Sequence, residues 1–178
     1  MATRKQKKIT KRIYFDGDVN SETKQRFIEN LDGILKSVRN LRVLQVFIDC
    51  SGGSLCSAWA IYDRLIRIQQ NGIEVETFVE GGAFSSAVII LLAGKKRYIV
   101  PHSQILIHMP KQIVVDELVD EKRAKELYDD LRKLKDDIAV LISKNTGQPK
   151  KKVLRDMMRE TYLNAQEAVD YGLVHEII

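Results

Sequence analysis

Two apolar segments of this chain are each followed by a glycine-rich turn and then by a helical pattern. This arrangement constrains the fold of the chain more than any other feature of the sequence. Residues 43–48 are β-rich and mostly apolar, and they lead through SGGS into an amphipathic helix predicted at 55–70. Residues 75–79 alternate as a strand and lead through GG into an apolar helix predicted at 85–94. Strands that alternate with helices predict an α/β fold with a largely parallel sheet and crossover helices.

The other predicted elements extend this pattern over most of the chain. They are strands at 13–15, 97–100, 105–108 and 174–178, and helices at 21–38, 118–144, 150–159 and 164–172. Residues 1–11 are predicted to form a basic mobile tail and residues 12–178 a single domain, which fits a length of 178 residues. The helix at 118–144 carries a regular apolar stripe, so it packs on its own domain or docks a partner helix, and its length favours oligomerisation.

Composition argues against several functional classes. No apolar run approaches the roughly 18 residues of a membrane span, and the basic N-terminus lacks the apolar region of a secretory signal. Cys50 and Cys56 are therefore expected to be reduced thiols in a cytoplasmic protein. The net charge of +5 is concentrated near the N-terminus and at 150–152, without a nucleic-acid-binding motif, so no nucleic-acid partner is expected. No His, Cys and Asp cluster has metal-ligand spacing, and no metal or other cofactor is expected.

Ser85 is the candidate nucleophile. It lies where the glycine turn meets the apolar helix, and partial positive charge collects at a helix N-terminus. The competing interpretation is that Ser85 or Ser86 only caps the helix. His108 ends an apolar strand and is the candidate base, whereas His102 and His175 lie in a turn and near the C-terminus. If Ser85 and His108 meet in space, they form the nucleophile–base pair of a serine hydrolase.

The other glycine-rich turn, at 51–54, is a candidate oxyanion site. In a parallel sheet both turns lie at the carboxyl edge, where ligands bind. Glycine leaves backbone N–H groups free to point at an anion, as an oxyanion hole requires. An ordinary strand–helix turn is the competing interpretation. Neither turn has the pattern of a phosphate-binding loop.

Several motifs of the chain resemble one known family. The segments 51–53 (SGG), 81–87 (GGAFSSA), 107–110 (IHMP) and 163–174 (LNAQEAVDYGLV) are similar to motifs of the Clp protease proteolytic subunit. The resemblance extends from about Arg12 to Ile178. It implies a crotonase-like (ClpP-like) α/β fold of stacked ββα units, with a long protruding handle helix at about 115–145 that joins two rings.

The resemblance also implies a catalytic site. Ser85 corresponds to the family's nucleophile and His108 to its base, and the backbone N–H groups of Gly53 and Ser86 correspond to its oxyanion donors. The implied function is a serine endopeptidase that cleaves peptides or unfolded proteins inside an oligomeric ring chamber.

The third member of the implied triad departs from the family. Glu160 stands where the family has an aspartate. Glutamate orients the histidine in some α/β-hydrolases, but it is one methylene longer. Asp156 and Asp170 are the alternative acids. A catalytically impaired ring scaffold or regulator is therefore the alternative function.

Other departures concern partners. Gln45 and Arg67 replace two aromatic residues that line the family's docking cleft for its AAA+ unfoldase, although Phe47 is kept. These replacements argue against docking of an unfoldase. Met158 replaces an acid that pairs with an inter-ring arginine, beside a retained Arg159, which predicts weaker or different ring stacking. Peptide or unfolded-protein substrates and homo-oligomeric rings are the expected partners.

The same fold would also suit two other activities. A crotonase-type acyl-CoA enzyme needs the oxyanion turns but not the pair of Ser85 and His108. A Ser–Lys peptidase would need Lys95 or Lys96, which follow the far end of the helix that Ser85 begins.

The family's Gly-Gly after the histidine segment is replaced by 111–113 (KQI), so the way in which substrate adds as a strand is expected to differ.

Overall fold

The computed structural model describes residues 9–112 and 118–178. The elements are β1 (Ile9–Val19), α1 (Ser21–Ser37), β2 (Leu41–Gly53), α2 (Leu55–Gln70), β3 (Glu74–Phe84), α3 (Ala87–Leu91), β4 (Lys96–Ile99), β5 (Gln104–Ile107), α4 (Glu121–Thr146), α5 (Lys150–Met158), β6 (Thr161–Leu163), α6 (Ala165–Tyr171) and β7 (Glu176–Ile177). None of the helices within these residues is both long and apolar enough to cross a membrane.

The predicted parallel sheet is confirmed. Its strands run in the order β1-β2-β3-β4-β7, all parallel, while β5 pairs parallel with β3 and antiparallel with β6. The first half of β3 pairs with β4, and its last three residues pair with β5. This switch of partner brings the end of β3 beside the end of β5, which is the arrangement that the candidate site requires.

One face of the sheet carries a row of stacked rings. We call Tyr14, Phe47, Phe78 and Tyr98 the aromatic row; they occupy the same register on β1 to β4. Successive ring centroids lie 5.1, 4.7 and 4.8 Å apart. The opposite face of the sheet packs on α2 and on α3. Every residue of α3 is buried.

A buried arginine joins the sheet to the C-terminal part of the chain. Arg97 on β4 is 5% exposed. Its guanidinium donates hydrogen bonds to the carbonyls of Leu173 at 2.7 Å, Gly172 at 3.1 Å, Asn145 at 3.1 Å and Gly94 at 3.4 Å. These carbonyls come from the ends of three helical segments, so one side chain holds the end of α4 and the end of α6 against the sheet.

The N-terminal elements differ from the prediction. The strand predicted at 13–15 is part of β1, which starts at Ile9 and so includes the last three residues of the predicted tail; residues 1–8 lie outside the described part of the chain. β1 also continues beyond 15 to Val19, because its pairing with β2 continues across a register shift between Gly17 and Asp18.

Differences also occur around the candidate site. The short strand β6 was not predicted, and α3 is shorter than the helix predicted at 85–94. The helix α4 begins at Glu121 rather than at 118, because the Asp120 side chain accepts a hydrogen bond from the N–H of Arg123 at 2.8 Å and caps it. The part of the predicted handle at 115–117 lies outside the described residues.

Candidate active site

Ser85 occupies a strained turn at the end of β3. Its φ of 57° lies in the left-handed region, which a residue with a side chain rarely adopts. Its N–H donates to the carbonyl of Leu106 on β5 at 2.9 Å, which holds the turn in place. Strain of this kind persists where the surrounding structure fixes it, and it is concentrated at functional sites.

The two glycine-rich segments lie at the same edge of the sheet, as predicted, but they belong to strands rather than to turns. Residues 52–53 end β2 and residues 81–82 lie within β3, because the two strands remain paired as far as Ala83. A Cβ added to Gly52 would lie 2.7 Å from the Cβ of Ser85, so only glycine allows the end of β2 to pack against the candidate nucleophile.

The Ser86 side chain does not cap the helix α3. Ser86 is at the N-cap position of α3, but its side chain makes no capping hydrogen bond. Its Oγ is buried and has no hydrogen-bond partner among the described residues. The Ser86 hydroxyl therefore gives no evident stabilisation to the helix.

A pocket of about 590 Å³ collects four of the five predicted site residues. Ser85, Ser86, Gly53 and His108 all line it. Its other lining residues are Ser54, Leu55, Cys56, Val88, Ile107, Pro110, Lys111, Gln112, Leu131, Leu134, Ile138 and Ile142. The predicted nucleophile and base thus face one largely apolar space.

The apolar stripe of α4 forms one wall of this pocket. Leu131, Leu134, Ile138 and Ile142 come from that stripe, and the last two are buried. The helix that carries the stripe was predicted to pack on its own domain or to dock a partner helix. The structure shows that its C-terminal half packs on its own domain and, in doing so, covers the candidate site.

His108 follows β5 and lies at the mouth of the pocket. The next residue, Met109, donates its N–H to the carbonyl of Met157 at 3.2 Å, which ties this segment to the end of α5. The Nδ1 atom of His108 is buried and has no hydrogen-bond partner among the described residues. A buried polar atom without a partner costs about 1–3 kcal/mol, so this nitrogen is a place where a partner is missing.

Glu160 lies close to His108 but pairs with another residue. Its carboxylate Oε1 is 2.7 Å from the Nζ of Lys111, and the Lys111 and Glu160 side chains are 64% and 51% exposed. The Lys111 ammonium lowers the pKa of Glu160, and the nearby His108 adds a smaller lowering. The structure therefore brings Glu160 into the field of His108 without a hydrogen bond between the two side chains.

The two alternative acids are engaged elsewhere. Asp156 accepts hydrogen bonds from the Lys152 Nζ at 2.9 Å and from the Tyr171 hydroxyl at 3.0 Å. Asp170 accepts one from the Gln166 Nε2 at 2.8 Å. Neither acid lines the pocket. Among the three carboxylates considered, Glu160 is the one placed near His108.

His175, the weaker candidate near the C-terminus, has a structural contact. Its Nδ1 accepts a hydrogen bond from the backbone N–H of Arg97 at 3.0 Å. Burial, and then the charge of Arg97, lower the pKa of His175. This favours the neutral imidazole that such an acceptor needs.

Comparison with known proteins accords with this geometry. A sequence model of the family described as Clp protease matches residues 3–178. The chain belongs to the Clp protease family. The predicted resemblance is thereby confirmed over nearly the whole chain.

Individual relatives in the Clp protease family are moderately similar to this chain. The ATP-dependent Clp protease proteolytic subunit 2 of Treponema denticola is 34% identical over 171 residues, which cover 94% of this chain and 82% of the relative. Subunit 2 of Chlamydia pneumoniae is 34% identical over 138 residues, covering 76% of this chain. That match spans only 64% of the chlamydial protein.

A solved structure supports the fold assignment. A ClpP1 mutant from Listeria monocytogenes matches with a TM-score of 0.80 and 25% identity, covering 94% of this chain and 90% of that one. The predicted crotonase-like (ClpP-like) α/β fold is confirmed. The longest helix among the described residues is α4, with 26 residues.

The contact of Lys111 with Glu160 was not predicted. The segment 111–113 (KQI) was expected only to change the way in which substrate adds as a strand. The two residues are 49 positions apart, and they meet because β5 pairs with β6 just beside them. A lysine replacing a glycine next to the candidate base was the available signal.

Proposed function

We propose that this protein is a serine endopeptidase of the Clp type, which cleaves peptides or unfolded proteins inside an oligomeric ring chamber by a Ser–His–acid triad. The observation that carries the proposal is the strained Ser85, which shares one apolar pocket with His108 in a chain of the Clp protease family. Acyl transfer is the chemistry that a serine and a histidine in one pocket perform together.

In the proposed mechanism, the Ser85 Oγ attacks the carbonyl carbon of the scissile peptide bond. The His108 imidazole takes the hydroxyl proton and then delivers it to the leaving amine, which leaves an acyl-enzyme on Ser85. A water molecule, activated by His108, hydrolyses this ester and regenerates the serine. The backbone N–H groups of Gly53 and Ser86 are proposed to hold the oxyanion formed in both steps.

The experiment that tests this function is covalent labelling with a fluorophosphonate, followed by peptide mapping. We expect the phosphonyl group on Ser85 and on no other serine, because among the described residues Ser85 is the one serine that combines a left-handed backbone with a place in the pocket that His108 lines. A protein that stays unlabelled, or that is labelled at another serine, would contradict the proposed nucleophile.

Gly53→Ala is expected to lower kcat by about 10²–10³-fold, the usual cost of losing one oxyanion donor. Gly53 has a φ of 136°, and an added Cβ would lie 2.3 Å from the carbonyl oxygen of Val19, so the turn must move. Steady-state hydrolysis of a fluorogenic peptide measures the effect. Gly33→Ala is the matched control, because its Cβ meets nothing within 4 Å and it lies in α1. Equal kcat values for the two variants would remove Gly53 from the oxyanion site.

Glu160→Gln is expected to lower kcat by about 10²-fold, because a neutral amide cannot stabilise the imidazolium formed during catalysis. Glu160→Asp is expected to keep activity, since it restores the acid that the family uses at this position. The control is Glu29→Gln, an exposed glutamate on α1 that changes the net charge equally. If Glu160→Gln and Glu160→Ala both retain wild-type kcat, Glu160 does not belong to the triad.

A catalytically impaired ring scaffold is the second candidate function. Two observations favour it: the Nδ1 of His108 lacks a partner among the described residues, and Glu160 is paired with Lys111. A scaffold would assemble into rings in size-exclusion chromatography with light scattering, but it would not react with the fluorophosphonate. Labelling of the wild type therefore separates the two functions.

We further propose homo-oligomeric rings that do not bind an AAA+ unfoldase through the family's aromatic contacts. Gln45 lies next to Phe47 of the aromatic row, and its side chain accepts from Arg12 Nε at 3.3 Å and donates to Glu76 Oε2 at 3.0 Å. Arg67 is exposed on α2. The hydrogen-bonded Gln45 and the exposed Arg67 put polar groups at two positions where the family has aromatic residues, which supports weak or absent docking.

A further inference from the structure

We infer that Lys111 is a positioning residue that holds Glu160 away from His108, so that the resting site contains a triad whose acid is disengaged. This inference rests on the proposed peptidase function and deepens it. It concerns one carboxylate and the two side chains that compete for it.

The backbone keeps the three side chains in a small region. Ile107 pairs with Thr161 across the antiparallel contact of β5 with β6. The N–H of Met109 donates to the carbonyl of Met157 at 3.2 Å. The segments that carry His108 and Lys111 on one side, and Glu160 on the other, therefore run beside each other and are fixed at both of these points.

Within this region, the Glu160 carboxylate pairs with Lys111, which is one of its two possible partners. The Glu160 Oε1 lies 2.7 Å from the Lys111 Nζ. The His108 imidazole is close enough to contribute to the electrostatics of the same carboxylate, yet its buried Nδ1 has no hydrogen-bond partner among the described residues. A triad needs the acid on this Nδ1, where it fixes the tautomer and orientation of the imidazole.

The ion pair is weak enough to be exchanged. Both side chains are more than half exposed, so water and salt screen their attraction. Pairs of this kind shift an equilibrium by about two- to fivefold. In the other arrangement, Glu160 would satisfy a buried nitrogen that is now unpaired, and this favours the exchange once Lys111 is removed.

The position of Glu160 supports the same competition. Its φ of 49° is left-handed, and its N–H donates to the carbonyl of Met157 at 3.2 Å, so the turn after α5 directs it. Lys111 also lines the pocket, whereas Glu160 is not among the lining residues. Lys111 thus contacts both the pocket and the acid.

The test is Lys111→Met, with rates measured by fluorophosphonate labelling and by peptide hydrolysis. We expect the rate of labelling and kcat to rise about two- to fivefold, with KM changed less, because the acid becomes available to His108. Lys111→Arg is expected to retain the low wild-type rate, since it keeps the ion pair. Lys122→Met is the matched control: it removes a lysine from another exposed ion pair, with Glu126 on α4.

A double variant separates this role from a general effect of charge. In the Glu160→Gln background, Lys111→Met is expected to give no increase, because no carboxylate remains to be released. Wild-type labelling is also expected to rise when salt increases from about 0.05 to about 0.5 M, and Lys111→Met is expected to lose this dependence. An increase that persists without Glu160, or a Lys111→Met variant that is slower than or equal to wild type, overturns the inference.

A spectroscopic readout keeps the inference testable apart from activity. Proton NMR of the protein with ¹⁵N-labelled histidine should show a hydrogen-bonded, downfield Nδ1 proton of His108 in Lys111→Met that is absent in wild type. Identical spectra of the two proteins overturn the inference even if both are active. If no form of the protein is labelled at Ser85, the peptidase function fails, whereas this comparison still decides whether Lys111 displaces the acid.

Discussion

Ser85→Ala is expected to lower kcat for peptide hydrolysis by about 10⁴-fold or more, because removing the nucleophile of a triad costs nearly as much as removing the whole triad. The residual rate would come from the oxyanion donors and from binding in the pocket. Since the substitution deletes one oxygen from a half-buried side chain, KM should change little. Single-turnover and steady-state hydrolysis of a fluorogenic peptide measure both quantities.

The neighbouring serine provides the control for this prediction. Ser86→Ala removes a buried hydroxyl that has no partner among the described residues, and it leaves the backbone N–H intact. We expect this variant to remain reactive toward the fluorophosphonate. If Ser86→Ala loses the label and Ser85→Ala keeps it, the nucleophile has been assigned to the wrong serine of the turn.

Arg97→Met is expected to lower the free energy of unfolding by about 3–5 kcal/mol, the largest effect on stability that we predict. The substitution removes a buried guanidinium and leaves carbonyls of Gly94, Asn145, Gly172 and Leu173 without their donor. Each such orphaned group costs about 1–3 kcal/mol unless water reaches it. For a domain of this size, the loss corresponds to a fall in Tm of about 10 °C.

Urea unfolding followed by circular dichroism, at a fixed protein concentration, measures this loss, because oligomerisation makes apparent stability depend on concentration. Arg42→Met is the control, since Arg42 is exposed on strand β2 of the same sheet and its replacement is expected to change stability by about 0.5 kcal/mol or less. Equal midpoints for the two variants would show that the hydrogen bonds of Arg97 are replaced by water or by other groups.

The well-predicted parts of the fold are those with strong local signals. Helix α2 was predicted at 55–70 and is observed there, because Ser54 caps it through the N–H of Ser57 at 3.3 Å and its apolar positions recur regularly. Helix α6 was likewise predicted, at 164–172, and a capping box of Asn164 and Glu167 fixes its start. In these segments, each residue's preference and its tertiary environment agree, so the pattern alone was sufficient.

Elements that depend on pairing were predicted less well. The strand β6 has only three residues and forms because β5 offers an antiparallel edge. The N-terminal strand β1 extends beyond its apolar segment because β2 supplies partners along most of its length. Hydrogen bonds to a neighbouring strand, rather than the residues of the strand itself, set these boundaries.

The sequence by itself determined the alternation of strands and helices, the two glycine-rich segments at one edge of the sheet, and Ser85 and His108 as the candidate pair. Short-range preferences and the resemblance to a family were enough for these. The tertiary structure alone decided that α4 covers the pocket and that Glu160 pairs with Lys111 rather than with His108. The partner of a long, exposed side chain depends on distances of a few ångströms between segments far apart in the chain, and no local pattern encodes those distances.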